Sequence, residues 1–242
     1  MAMEGIFEQT SYPFRFDWGL DGLCRLAPES DVVVIVDVLS FTTAVSVATE
    51  RGATVYPYRW ADHTAEAYAA TVGAILLGKR TDKGLSLSPS SLQHARAGQK
   101  MVIPSPNGST LASVAVEYGK TVVAGSLRNA SAVADFIADS IKSVTIVAAG
   151  ERWPNDNLRP AVEDLVGAGA ILSHLDAERL SPEAKSAVAV FESVKKTLRA
   201  TLMDCASGRE LRARGFADDV EIASRLNESS VVPVMFDGAF RA

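Results

Sequence analysis

The chain has 242 residues, 48% apolar and 22% charged, which suits a soluble globular protein with a layered core. A formal net charge of −5 gives no basis for a nucleic-acid partner, although a local basic pocket for a small anionic substrate stays open. The N-terminus carries no basic stretch followed by an apolar one, and no apolar run reaches about 18 residues, so neither a signal peptide nor a membrane partner is expected and the cytoplasm is the default location.

In chain order, residues 32–38 (V-V-V-I-V-D-V) form a strand-length aliphatic run that ends in a carboxylate, Asp37. A hydroxyl-rich turn with Ser40 and Thr42 follows, then a helix to about Glu50 with Gly52 just past its end. A short strand within A-I-L-L-G-K-R ends in Lys79 and Arg80. Residues 100–103 lead through P-S-P-N-G-S-T (104–110) into a helix closed by Gly119. Residues 121–124 lead through G-S-L-R-N into a helix that Asn129 is placed to cap. Residues 143–149 lead through G-E-R-W-P-N-D-N-L-R-P into a helix over about 161–175.

Continuous apolar strands are typical of sheets covered on both faces, and strand–helix alternation predicts a layered α/β fold with a mostly parallel sheet. The last third differs. Residues 181–203 read as one long helix capped by Ser181, two shorter helices follow near 209–214 and 218–227, and V-V-P-V-M-F closes the chain. Its Pro233 predicts an edge strand. Residues 1–242 read as one unit, with or without a C-terminal lobe from about 176. A homo-oligomer is compatible with this reading. Ligands in such sheets bind beyond the carboxyl ends of the strands, and a carboxylate at the end of a buried strand is tolerated if that end opens into a site.

The loop at 104–110 offers a glycine able to take positive φ, Gly108, and the hydroxyls of Ser109 and Thr110 at a helix N-terminus. That is an anion seat, or simply a cap. Lys79, Arg80 and Arg128 are candidate partners for phosphate or sulfonate oxygens. The segment 148–169 holds Glu151, Arg152, Asp156, Arg159, Glu163 and Asp164. Arg159 and Glu163 stand at helical i, i+4 spacing, which predicts an ion pair. Glu163 and Asp164 point about 100° apart on a helix, and one of them could join Asp37 around a hard cation such as Mg²⁺. Gly167 and Gly169 predict close helix packing. Cys24 and Cys205 lack zinc-site spacing and read as buried free thiols. The histidines stand in no catalytic motif, and there is no G-x-S-x-G elbow.

I-V-D-V-L-S-F-T-T, L-G-K-R, S-P-N-G-S-T, G-S-L-R-N-A-S-A-V-A and A-A-G-E-R…E-D-L-V-G-A-G occur in that order. Together they resemble the 2-phosphosulfolactate phosphatase family over roughly residues 30–175. The resemblance implies an α/β fold and Mg²⁺-dependent hydrolysis of 2-phospho-3-sulfolactate to 3-sulfolactate and phosphate, a step in coenzyme M synthesis. By position, Asp37, Asn107, Gly108, Ser109, Asn129, Glu163 and Asp164 match the family's motifs. With the residue chemistry above, Asp37, Arg80 and Asn107 are expected in catalysis and Asp37, Glu163 and Asp164 in holding Mg²⁺. Substrate and phosphate contacts fall to Ser40, Thr42, Lys79, Gly108, Ser109, Thr110, Arg128, Asn129 and Arg152. Two positions depart: the family often has Arg where Ser40 stands and Glu where Lys79 stands. These departures keep open a second reading, a non-catalytic binder of an anionic metabolite on the same scaffold.

Overall fold

The computed structural model describes residues 6–82, 84–138 and 143–242. Its strands are β1 (Phe14–Trp18), β2 (Val32–Val36), β3 (Thr54–Tyr58), β4 (Ile75–Leu76), β5 (Lys100–Pro104), β6 (Thr121–Gly125), β7 (Val144–Ala148), the short pair β8 (Glu151–Arg152) and β9 (Leu158–Arg159), β10 (Val234–Phe236) and β11 (Ala239–Arg241). The helices are α1 (Gly19–Leu26), α2 (Phe41–Glu50), α3 (Thr64–Val72), α4 (Pro89–Leu92), α5 (Gly108–Glu117), α6 (Ala130–Ala138), α7 (Val162–Leu172), α8 (Pro182–Val194), α9 (Leu198–Asp204), α10 (Ala206–Ala213) and α11 (Ala217–Ala223).

β2 shows how the layers arise. All five of its residues are buried. Val32, Val34 and Val36 join a core with α6, α7, α8 and α9, while Val33 and Ile35 join one with α1, α2 and α5. Helices therefore cover both faces, as the unbroken aliphatic run predicts. Among the described residues the main sheet has nine strands in the order β1-β7-β2-β6-β10-β11-β3-β5-β4. Two parallel groups, β1/β7/β2/β6 and β3/β5/β4, are joined by the antiparallel hairpin β10–β11.

The closing strand is thus not at an edge; it is a wedge inside the sheet. Pro233 is compatible with this because it lies just before β10 and only its carbonyl is used, accepting from the Ala124 N–H at 3.0 Å. β3 is an element the apolar runs did not announce, since Pro57 interrupts T-V-Y-P-Y; β11 meets β3 at Phe240 opposite Val55, two residues before that proline. The long helix is capped as expected, with Ser181 Oγ accepting from the Ala184 N–H at 3.1 Å. It breaks, however, at a 3₁₀ turn, Lys195–Thr197, before α9.

Gly167 and Gly169 set the seat of α7. A Cβ on Gly167 would meet Val38 Cγ2 at 2.6 Å, and one on Gly169 would meet the Ala187 carbonyl oxygen of α8 at 2.1 Å. Gly169→Ala therefore destabilises the fold by about 2–3 kcal/mol despite alanine's better helix propensity; urea denaturation gives the value, and a neutral or stabilising result would contradict this packing.

Candidate active site

Asp37 follows directly on β2 and is 7% exposed. Its Oδ1 accepts the N–H of Phe41, the first residue of α2, at 3.0 Å; its Oδ2 accepts the N–H of Gly108, the first residue of α5, at 2.9 Å. Helix N-termini present unpaired N–H groups and partial positive charge, so they favour an anion. Here that anion is the Asp37 carboxylate itself. Thr42 locks it from behind: its Oγ1 accepts from the Asp37 N–H at 3.0 Å and donates to the Asp37 carbonyl at 2.8 Å.

The groups of the expected phosphate seat are engaged within the fold. The Gly108 N–H is spent on Asp37, Thr42 is fully buried, and Ser109, also fully buried, turns its hydroxyl to the Ile103 carbonyl at 2.9 Å. Gly108 is required for space rather than for positive φ, which it does not adopt. A Cβ there would lie 2.2 Å from Phe41 Cδ1 and 2.7 Å from Asp37 Oδ2. Gly108→Ala is expected to cost about 2–3 kcal/mol in denaturation and to reduce turnover by displacing Asp37; a variant with wild-type stability and rate would refute the close approach.

Loops after the carboxyl ends of β2, β4, β5 and β7 converge on a cavity of about 300 Å³, contributing Asp37, Ser40, Arg80, Ser105, Asn107 and Glu151. The C-terminal helices add Ser207, Glu210, Leu211 and Arg214. Arg80 donates from Nη2 to Ser40 Oγ at 2.8 Å and forms an ion pair with Asp219 through Nη1. Asp219 is held in turn by Ser88 Oγ at 2.5 Å and the Ser90 N–H at 3.0 Å. Asn107 Nδ2 donates to Glu151 Oε2 at 2.9 Å. This bond separates the cavity from a second one of about 220 Å³, which holds Thr110 and Arg152. Those two expected phosphate contacts therefore face the neighbouring space, and Arg152 pairs with Asp156 at 3.3 Å.

Glu163 and Asp164 open α7 and are both buried. Asp164 uses both oxygens as a clasp, accepting the N–H of Val38 at 2.7 Å and that of Gly150 at 2.9 Å, and so ties the ends of β2 and β7 together. Arg159 does not pair with Glu163; it lies on β9 and donates to Ser207 Oγ at 3.1 Å. The acids crowd one another. Burial pushes the Asp37 carboxyl up to about 6, the Phe41 and Gly108 N–H groups oppose this, and Glu163 adds to it. Burial and the charges of Asp37 and Glu163 push Glu151 up to about 7. The same three causes hold Asp164 well above the usual carboxylate range. Cys205, buried as expected, is pushed up to about 12 by burial and by Glu163. Cys24 instead is exposed, on the polar side of α1.

Three expected contacts lie elsewhere. Arg128 is buried in ion pairs with Glu50 (2.7 Å) and Glu228. Asn129 does not cap α6 with its side chain; Ser126 caps a 3₁₀ turn, Leu127–Asn129, that runs into α6, and Asn129 completes that capping box while Nδ2 donates to the Ala124 and Val231 carbonyls at 3.2 and 3.1 Å. Both residues fasten the returning C-terminal segment to the end of β6. Lys79 is exposed and outside the cavity lining. Conversely, the cavity residues Glu151, Glu210 and Arg214 were not expected in the site. Glu151 had a signal, since it follows β7 much as Asp37 follows β2; the two residues at the end of α10 had none.

The family model described as 2-phosphosulpholactate phosphatase matches residues 24–238, which contain every residue of this cavity. The chain belongs to the 2-phosphosulfolactate phosphatase family, a family of phosphoric monoester hydrolases. A relative in Carboxydothermus hydrogenoformans, named probable 2-phosphosulfolactate phosphatase, is 30% identical over 211 residues, covering 85% of this chain and 86% of its own. One in Thermotoga maritima with the same name is 27% identical, covering 88% and 92%. The 2-phosphosulfolactate phosphatase of Methanothermobacter thermautotrophicus is 28% identical, covering 86% and 88%. Within the family motifs, then, Asp37, Arg80 and Asn107 meet in one cavity, whereas Arg128 and Asn129 serve the fold.

Proposed function

We propose that this protein hydrolyses 2-phosphosulfolactate to 3-sulfolactate and phosphate in the cavity of Asp37, Arg80, Asn107 and Glu151, with Mg²⁺ as its cofactor. The observation that carries this reading is the convergence of a buried carboxylate, a fixed guanidinium and the Asn107–Glu151 pair in one small cleft of a phosphatase-family chain. Arg80 opposes charge on the phosphoryl oxygens, Asn107 orients the ester, and Glu151 is the cavity carboxyl available to handle the proton of the leaving oxygen.

Among the described residues, no group of three or more His, Cys, Asp or Glu side chains is arranged as a metal site. Mg²⁺ is usually held by only one or two carboxylates together with water and phosphate oxygens. We assign the cation to Asp37 and Glu163: both are buried, Asp37 lines the cavity, and Glu163, behind that lining, adds to the upward push on the Asp37 carboxyl that a cation would relieve. Asp37 and Asp164 each accept two N–H groups, but Asp37 lines the cavity, whereas Asp164 lies outside its lining and takes the role of positioning the loops. Mg²⁺ bound there would supply charge neutralisation on the transferred phosphoryl group. The test is phosphate release from 2-phosphosulfolactate with Mg²⁺ and with chelator. Turnover of about 1 s⁻¹ or faster with Mg²⁺, lost in chelator, is expected. Equal rates in both would remove the metal. Calorimetric binding without turnover would favour the non-catalytic reading.

A further inference from the structure

Among the described residues, two cations line the cavity, Arg80 and Arg214, and they differ in how free they are. The Arg80 side chain is 11% exposed and its charge is answered by Asp219, 1% exposed. Arg214 ends α10, its side chain is 54% exposed, and its partner is Glu210 at 3.0 Å, itself 64% exposed. An exposed i, i+4 pair is weak and readily exchanged for a better-matched anion. The Phe216 ring holds the two guanidinium groups together, with Arg80 at 5.7 Å and Arg214 at 5.9 Å from its centroid. Two like charges against one ring at a cavity repel each other, and Arg214 lowers the proton affinity of Arg80; Asp219 answers Arg80 firmly, whereas Arg214 has only its exposed helical pair and is the one an incoming anion can engage.

We propose that Arg214 receives the non-reacting sulfonate of the substrate and so selects sulfonated over plain phosphorylated acids. The assignment rests on the phosphatase reading above, with the phosphoryl group at the deep end near Asp37 and Arg80 and the distal acid at the more exposed Arg214. A planar guanidinium offers paired N–H donors to two oxygens of such a group.

The experiment compares wild type, Arg214→Ala and Arg214→Lys in steady-state kinetics on 2-phosphosulfolactate and on 2-phospholactate, which lacks the sulfonate. For R214A, KM for the sulfonated substrate rises about 10- to 100-fold, kcat stays within about threefold, and KM for 2-phospholactate is unchanged. R214K recovers part of the loss. An unchanged KM, or an equal rise on both substrates, would overturn the assignment. If wild type turns over neither substrate, the phosphatase reading fails separately, and calorimetry with 3-sulfolactate decides. Binding by wild type that R214A loses supports the sulfonate seat; equal binding, or none, overturns it.

Discussion

Replacing Asp37 by asparagine is expected to lower kcat for phosphate release by about 1,000-fold or more while the chain stays folded. Asparagine keeps the shape of the side chain and removes its charge. One of the two N–H groups that now point at Asp37, from Phe41 and Gly108, would face an amide NH₂, a mismatch worth about 1–3 kcal/mol. Against that, the substitution removes a desolvated charge repelled by Glu163. The two effects oppose each other, so the melting temperature moves little even though the chemistry is lost. Circular dichroism melts beside the phosphate assay make the distinction. A fall in rate accompanied by wholesale unfolding would place Asp37 among the residues that merely hold the helix N-termini. An active variant would remove it from the reaction.

A buried carboxylate at this point was legible because residues 32–38 read as a strand whose aliphatic run ends in an acid. Gly167 and Gly169 were legible for a similar reason: a helix that carries two glycines in its interior has a neighbour too close for Cβ. At 104–110, composition shows that a helix N-terminus wants an anion but not which one reaches it. Asp37 reaches it from a position 71 residues away. The hairpin β10–β11 escaped because strand order is a tertiary property, and a proline that precedes a strand looks like one within it. Arg214 escaped because an Arg four residues after a Glu is the ordinary look of a solvated helix; only the packing of α10 and α11 against the cavity gives it a role.

In chelator, the protein is expected to be more stable at pH 5 than at pH 8, the reverse of the usual acid denaturation. The folded state holds Asp37 at about 6 against an ordinary 3.8, and Glu151 at about 7 against 4.5; Asp164 is raised as well. Between roughly pH 4 and pH 7 the folded chain therefore binds more protons than the unfolded one. Stability is full below the unfolded values, and it drains away as pH rises through the folded ones. Integrated from pH 5 to pH 8, the Asp37 and Glu151 contributions amount to about 3–4 kcal/mol at ~1.4 kcal/mol for each tenfold change. A cation that binds the folded chain through ionised carboxylates offsets this loss, so millimolar Mg²⁺ should raise the melting temperature strongly at pH 8 and weakly at pH 5. Denaturant titrations at the two pH values, each with Mg²⁺ and with chelator, read both effects at once. Stability that is flat or rising with pH in chelator would mean that the acids are not crowded as described. A Mg²⁺ response of equal size at both pH values would mean that the ion binds somewhere other than these carboxylates.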